Sequence, residues 1–424
     1  MEAREARGGT LVVGGGFAGG YVARLLGKRG ATILSTENYV LYTPLLVEAG
    51  SGTLEPRHVV VPLRQMCPHA DLLLGRATGL DEERRVVRAD TLAGELEIRY
   101  EQLVVALGSI TRVFPVPGLR EHGVGFKDLA DAIALRNRVL QQLERAAIRP
   151  ELPEELGFVF VGAGYAGVEA LAELNDLAHA ALRFYPGLRD VPQRWVLVDA
   201  APKILPEIPR RLGEYAARYL ETRGIEIHVE TTLSSYDGRV ATLSNGVAVP
   251  ARTLVWTAGV RANPLLGELG LPLDERGRVR VDPFLHVEGR ENVWALGDCA
   301  AVPNTRTPGR TDPPTSQHAL RQARRLAKNL VGSTPQPYGY RMLGQVATLG
   351  RYKGIAEIPG MRLHGFLGWF VARTYHLYQL PLLSRKLRVV TDWTVALLFR
   401  RDVVELSMLG HPRGLDQEPD VVDP

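Results

Sequence analysis

The sequence predicts an α/β fold built on two dinucleotide-binding strand–turn–helix units, and three stretches carry that prediction. The first is Thr10-Leu-Val-Val13, which runs into Gly14-x-Gly16-x-x-Gly19 and then a helix-compatible run from Tyr21 to Lys28. The second repeats the pattern, with Phe158-Val-Phe-Val161 leading into Gly162-x-Gly164-x-x-Gly167. In such a unit the first glycine makes the tight turn, the second admits backbone N–H groups to a pyrophosphate, and the third lets helix pack on strand. The helix N-terminus then offers its unpaired N–H groups and the positive end of its dipole to the phosphates. One such turn often serves chain geometry alone, but two in one chain point to two nucleotides. The third stretch, Asn292-Val-Trp-Ala-Leu-Gly297-Asp298, is an apolar strand that places one carboxylate at the mouth of a sheet.

At 424 residues, with 45% hydrophobic and 23% charged side chains, the chain has the make-up of a globular protein of two or three domains. Its net charge of +4 is too small to argue for nucleic acid as a partner. Cys67 and Cys299 stand far apart, which excludes a disulfide framework and a CxxC redox pair and fits a reducing compartment. No secretory leader is expected, because the first ten residues carry Glu2 and Glu5 and no apolar run. No run of about 18 apolar residues suggests a spanning helix. No metal is expected: His318, His364 and His376 lack ligand spacing.

In the first unit the second strand reads Ala31-Thr-Ile-Leu34, and an acid should stand near its end to meet the ribose. Ser35 and Thr36 stand there instead, with Glu37 just beyond. Either Glu37 reaches the nucleotide or the two hydroxyls bind it without charge. Tyr39 to Leu46 contains Pro44 and is not a regular helix; it lines a flat aromatic ligand or serves as a buried connector. Strands follow at Asp71–Gly75, Arg85–Arg88, Leu96–Arg99 and Leu103–Leu107, then proline and glycine punctuation over 108–118 suited to a crossing between domains. The 3.6-residue apolar period predicts a helix over 128–147.

The second unit's second strand, Arg194-Trp-Val-Leu-Val198, ends at Asp199, after one helix and a loop over 170–193. Asp199 is the candidate for the ribose 2′-hydroxyl, where it would repel a 2′-phosphate; the alternative is a solvated acid at a strand end. Strands are expected again over 225–256, a second crossing after Val260, a small-residue helix after Asp298, and a helix from Pro313 to Leu330.

The turn GGGFAGG, the loop TPLLVEAGSG, the turn GAGYAGVE, then TAGV, NVWALGDCA and PPTSQHA occur in the order seen in type II NADH dehydrogenases, which the chain resembles over nearly its whole length. The tail GFLGWFVARTYHLYQLP…RVVTDW…LLFRRD is similar to that family's membrane-facing end. The resemblance implies two Rossmann-like domains: FAD-binding over 1–118 and 282–335, NADH-binding over 119–281. A C-terminal segment over 336–424 would carry amphipathic membrane-surface helices.

It implies FAD on Gly14, Gly15, Gly16, Phe17, Ala18 and Gly19 with Ser35, Thr36, a backbone contact from Ala77, and Asp298 on the ribityl chain. Ser316 and Gln317 would sit by the ring system on the quinone side. NADH would lie on Gly162, Gly164, Gly167 and Asp199, with Glu169 beside the nicotinamide. Glu169 and Gln317 are thus the catalytic candidates; their alternatives are a helix-dipole carboxylate and a helix-start polar residue. Where the family commonly reads Ala-Gln-x-Ala-x-Gln, this chain has Ser316-Gln317-His318-Ala319-Leu320-Arg321, so Arg321 replaces a glutamine. The implied activity is NADH oxidation with two electrons passed to a membrane quinone, without proton pumping. A sulfide:quinone oxidoreductase would need a reactive cysteine pair, and an NADH-sensing flavoprotein would bind partners without turnover.

The expected location is peripheral, on the cytoplasmic face of the cell membrane. Residues 361–401 hold Arg362, Arg373, Arg385, Lys386, Arg388, Arg400 and Arg401 against Asp392, with Trp369, Phe370, Trp393 and other apolar residues interleaved. That is the pattern of helices lying in a headgroup region, while the alternative is a tail packed on its own domain or on a second subunit in a homodimer.

Overall fold

The computed structural model describes residues 3–342 and 344–406, so 407–424 of the expected C-terminal segment lie outside the described residues. In the first unit, β1 (Thr10–Val13), α1 (Phe17–Leu26) and β2 (Ala31–Ser35) form the expected strand–turn–helix–strand. β1 pairs in parallel with β2 and with Gln102–Val105, and Val293–Ala295 joins the far side of Gln102–Val105. Beyond β2, Ala70–Asp81 turns into an antiparallel run with Val86–Thr91 and Gly94–Arg99. The central strands are mostly apolar because both faces are covered, and Leu11, Val12, Ile33 and Val104 are buried. The proline-bearing stretch after Tyr39 forms a short strand, a single 3₁₀ turn at Thr43–Leu45 and then a short helix, α2 (Leu46–Gly50).

The helix expected over 128–147 is α3 (Leu129–Ile148). Its start is fixed by a capping box, in which Asp128 accepts from Asp131 N and the Asp131 carboxylate accepts from Asp128 N. The second unit is β3 (Gly157–Val161), α4 (Tyr165–Ala181) and β4 (Arg194–Val198). Its parallel sheet runs Val124–Gly125, Thr253–Trp256, β3, β4, Ile225–His228. Trp195 on β4 stacks on Phe158 of β3 with ring centroids 4.1 Å apart. The two crossings predicted near 109 and 260 meet each other: Ser109–Thr111 pairs antiparallel with Val260–Ala262.

One expected element is different. After Asp298 the chain makes a single 3₁₀ turn, Gly297–Cys299, and then a short strand, Ala300–Ala301, parallel to Val279–Arg280. Gly297 has φ +78°, which turns the chain sharply, and Pro303 forbids a helix just beyond. The helix begins only at Ser316, as α5 (Ser316–Val331), capped by the Thr315 hydroxyl accepting from His318 N.

The C-terminal segment starts with a three-stranded antiparallel sheet whose first strand is β5 (Gln345–Thr348). Two helices follow, α6 (Gly365–Gln379) and α7 (Leu383–Leu398), separated at Pro381 as the sequence suggests. Four residues expected on the outward face of this segment are instead turned inward. Arg373 pairs with Glu48 of α2 at 2.8 Å and lies over the rings of Trp369 and Trp393, and Trp393 Nε1 donates to the same carboxylate at 2.6 Å. Arg401 is buried against Glu173 of α4 at 2.5 Å. The reason is electrostatic, since two carboxylates buried under this segment require cations. Beyond Arg401 the chain runs along α3, where Arg136 donates to the carbonyls of Asp402 and Val404.

Removing one member of a buried pair strands the other, at a cost of about 3–5 kcal/mol. Arg401→Ala is therefore expected to unfold at clearly lower urea than the parent in far-UV circular dichroism. Arg401→Ala combined with Glu173→Gln should recover part of the loss.

Candidate active site

A cavity of about 420 Å³ lies where the two units and the C-terminal segment meet, within the usual size range of a ligand site. The first unit contributes Phe17 and Asp298, the second Tyr165, Glu169 and Thr257, and α6 contributes Tyr375, His376 and Gln379. Of the sequence candidates, Phe17, Glu169, Asp298, Ser316 and Gln317 share this cavity. The glycines of the two turns, Ala18, Ser35, Thr36, Ala77 and Asp199 are not among its lining residues; Ser35, Thr36 and Asp199 lie at or just past the ends of β2 and β4, and Ala77 lies mid-strand.

The two glycine turns are near copies. Gly14 and Gly162 both have φ +109°, and their N–H groups donate to Leu34 and Val198 at 2.8 Å. Gly16 and Gly164 are the N-caps of α1 and α4, with no side chain satisfying the helix N–H groups. A Cβ added at either would meet nothing within 4 Å, whereas one at Gly19 or Gly167 would land on the carbonyl oxygen of Gly14 or Gly162. The third glycine of each turn is thus required by the fold itself. The second borders open space, a cradle for phosphates. Gly15 is closed off by Ser35 Oγ and Leu63, and Ala18 is buried against Gly297.

Ser35 and Asp199 occupy equivalent places, each one residue past the strand position that pairs with the residue before the first glycine. The Ser35 hydroxyl accepts from Glu37 N, and Thr36 and Glu37 are exposed. Asp199 braces its own turn, its two carboxylate oxygens accepting from Ala163 N and Ala201 N at 2.5 and 2.7 Å. It stays partly accessible, with lone pairs left for a ribose hydroxyl. Ala77 sits at a bulge in the strand Ala70–Asp81, where the register shifts between Ala77 and Gly79.

Glu169 lies in the first turn and a half of α4, walled by α2 and β5. Burial pushes its pKa up to about 7, while Thr348 N and Oγ1, which donate at 2.8 and 3.1 Å, oppose that shift. Asp298 Oδ2 accepts from Ser109 Oγ at 2.9 Å, and Ser109 Oγ accepts from Lys127 Nζ at 3.0 Å. Gln317 is held at both ends of its amide, accepting from Tyr340 OH at 3.1 Å and donating to the Gly344 carbonyl at 3.2 Å, with one N–H remaining. Arg321, the residue in the family glutamine's place, stacks over the Tyr340 ring at 5.2 Å. The buried Gln322 accepts from Gly297 N at 2.8 Å and donates to Asp312 at 3.0 Å, so it fixes the turn that carries Asp298.

Sequence reasoning did not single out Lys127 or Thr348, gave Gln322 no role, and considered His376 only as a metal ligand, which it rejected. Burial pushes the His376 imidazole down to about 4, so it is neutral, and its Nδ1 is buried without a partner. Cys67 donates to the Gly20 carbonyl and Cys299 to the Leu296 carbonyl, and burial pushes both thiols up to about 11. Neither is a poised nucleophile, and they form no pair.

Residues 9–323 match the pyridine nucleotide-disulphide oxidoreductase family. A probable NADH dehydrogenase of Dictyostelium discoideum is 31% identical, over 89% of this chain and 86% of that protein. The type II NADH:quinone oxidoreductase Ndh of Mycobacterium tuberculosis is 30% identical, over 92% and 88%. This chain belongs to the type II NADH dehydrogenases. The solved structure of NDH2 from Plasmodium falciparum in complex with NADH has the same fold, with TM-score 0.87 at 17% identity, over 95% of this chain and all of that one. The two open cradles at Gly16 and Gly164 fit the two dinucleotides the family uses, FAD and NADH.

A side chain at Gly16 enters space that the protein leaves empty. Gly16→Val should therefore keep the thermal unfolding profile of the flavin-stripped parent while losing most of its flavin absorbance. Gly19→Val should fail to fold.

Proposed function

We propose that the chain oxidises NADH at the junction cavity and passes two electrons to a quinone held in a membrane, without translocating protons. The observation that carries this reading is that the helices behind both open glycine turns, α1 through Phe17 and α4 through Tyr165, Ala166 and the buried Glu169, reach one largely apolar cavity. FAD, when bound, supplies the two-electron relay between nicotinamide and quinone. In this reading residues 1–118 and 282–335 form the FAD-binding domain, 119–281 the NADH-binding domain and 336–424 the membrane-facing segment.

The N-terminus of α1 and the Gly14–Gly16 backbone would hold the FAD pyrophosphate. Ser35 and Thr36 would take the adenosine, Ala77 would give a backbone contact, and Asp298 would take the ribityl chain. Gly162, Gly164 and Gly167 would seat NADH with Asp199 at the ribose, which favours NADH over its 2′-phosphorylated form by charge. Phe17, Tyr42, Leu46, Val47, Trp256 and Leu320 keep the cavity apolar, which excludes water from the transfer. On the α6 side, the spare N–H of Gln317 and the neutral His376 are hydrogen-bonding groups for quinone oxygens. Ser316 lines the cavity beside them.

Glu169 titrates where it can serve the reaction. A nicotinamide that gives up a hydride becomes cationic, so an ionised Glu169 nearby stabilises the product side and the transition state leading to it. The rate of flavin reduction should rise with pH through about 7, and Glu169→Gln should stay near the low-pH rate throughout. Stopped-flow reduction by NADH between pH 5.5 and 8.5 measures this; identical profiles would leave Glu169 a structural acid. Stability has the opposite slope. Between the ordinary 4.5 and the folded value of about 7, the native state keeps a proton that the unfolded chain has lost, so stability falls as pH rises through that window. The Gln variant lacks this slope.

Membrane attachment rests on α6 and α7. No helix among the described residues is long and apolar enough to cross a membrane. Yet Phe366, Phe370, Leu383, Leu387, Leu397 and Leu398 are each more than half exposed, Leu398 at 77%. Arg388 and Arg400 are exposed beside them, and Arg385 and Lys386 partly so. This is the composition of a surface-lying helix pair, on the cytoplasmic face in our reading. Truncation is a poor test, because α6 also supplies cavity walls and the Arg373 pair. Leu387→Glu/Leu397→Glu/Leu398→Glu should instead abolish flotation with anionic liposomes and retain NADH–ferricyanide activity. If the parent stays at the bottom of the gradient at low salt and sediments as a dimer, this face is a subunit interface.

A further inference from the structure

Lys127 is a cation in a place where local physics disfavours one. It directly precedes Asp128, the N-cap of α3, where the positive end of the helix dipole repels positive charge. Its backbone is fixed there, since Lys127 N donates to Asp131 at 2.7 Å as part of the α3 cap. Its ammonium reaches inward, donates to the neutral Ser109 hydroxyl at 3.0 Å, and through it connects to Asp298. Burial lowers its pKa, with Asp298 opposing the shift.

The cavity has a one-sided charge. Among the described residues that line it, Lys127 is the one lysine or arginine, against Glu169, Glu207 and Asp298. A hydride carries one proton and two electrons. Its transfer from NADH therefore leaves a cation on the nicotinamide and adds one negative charge to the flavin side. Once NAD⁺ departs, that negative charge stays in a largely apolar cavity where His376 is neutral and the carboxyl groups of Glu169, Glu207 and Asp298 supply no positive charge. A charge in such surroundings needs a fixed counter-charge.

We propose that Lys127, held by Ser109 and the α3 cap, is a positioning residue that sets the flavin's reduction potential by balancing the negative charge that hydride transfer adds to the cavity. This rests on the FAD and NADH reading above. It assigns Ser109 a second role, as the link that keeps the ammonium and the Asp298 carboxylate apart while orienting both. A direct Lys127–Asp298 pair would neutralise the ammonium and leave it less charge to offer the cavity.

The test is the two-electron midpoint potential of the flavin in purified holoprotein, by dye-coupled anaerobic titration of the parent, Lys127→Gln, Lys127→Arg and Ser109→Ala. Lys127→Gln should keep its FAD yet reduce with an equilibrium constant lower by about tenfold, a midpoint about 30 mV more negative. Lys127→Arg should stay near the parent. Should Lys127→Gln purify without flavin, Ser109→Ala, which loosens the ammonium and leaves the charge, should show a smaller shift in the same direction. A parental midpoint in Lys127→Gln would overturn the proposal. So would an Arg variant shifted as far as the Gln variant, since the lysine would then act by shape alone. A parent protein that carries no FAD would instead sink the functional reading itself.

Discussion

Two buried carboxylates, a third half-buried beside them, and the arginines that neutralise them hold this molecule in one arrangement. Glu48 sits on α2 in the first unit, and Glu173 and Asp176 on α4 in the second. Arg373 and Arg401 come from the C-terminal segment, and Arg223 adds a third cation, 2.6 Å from Asp176. Ser51 donates to Glu173 at 3.2 Å, which ties the loop after α2 to the same cluster. A buried ion cluster contributes little net stability, because desolvation offsets the attraction, but each member is costly to leave alone. The cluster therefore acts mainly on specificity. Only the arrangement that brings α2, α4, α6 and the returning tail together satisfies every charge.

That arrangement builds the cavity. α6 must lie over α2 for Arg373 to reach Glu48, and the same placement sets His376 and Gln379 into the wall, with Tyr42 donating to the His376 carbonyl at 3.0 Å. β5 must lie beside α4 for Thr348 to cap Glu169. The buried acids also act on one another: Glu173 and Glu48 both push the Glu169 pKa upward, beyond what burial does. The outward-facing apolar residues of α6 and α7 thus stand on helices whose inner faces are held by buried polar contacts. The face proposed to meet lipid stands on α6, which walls the cavity, and on α7, which is tied to Glu48 through Trp393.

The cavity's electrostatics follow from what each unit can supply. Both glycine turns open onto helix N-termini, so each unit offers partial positive charge to a phosphate. The cavity between them has no such source. It is lined by aromatic and aliphatic side chains, with acids from both units and one ammonium. The local rule broken at Lys127, a cation ahead of a helix start, is where that compensation appears.

The local devices were legible in the sequence because they depend on neighbours in the chain. The two turns, the α3 capping box, the break at Pro381 and the crossings near 109 and 260 are each specified by a few adjacent residues and by backbone geometry that glycine, proline and aspartate control. Glu169 was found by its distance from the second turn, and Asp298 as the acid that ends an apolar strand at Gly297-Asp298. The sequence could not decide which face of α6 and α7 would be hidden, so Arg373, Trp393 and Arg401 read as surface residues. Their partners Glu48 and Glu173 lie hundreds of positions away, and nothing periodic marks a pair that forms only on packing. The same holds for Thr348 on Glu169, for Gln322 on Gly297 and for the missing helix after Asp298, where a strand edge at Val279–Arg280 was waiting. By itself the sequence determined the fold class, the two phosphate cradles and the acids beside them, because those are written in short-range steric terms. Tertiary structure alone decided the titration of Glu169, the anchoring of the C-terminal helices and the charge balance of the cavity, because desolvation and long-range pairing exist only once the chain has closed around them.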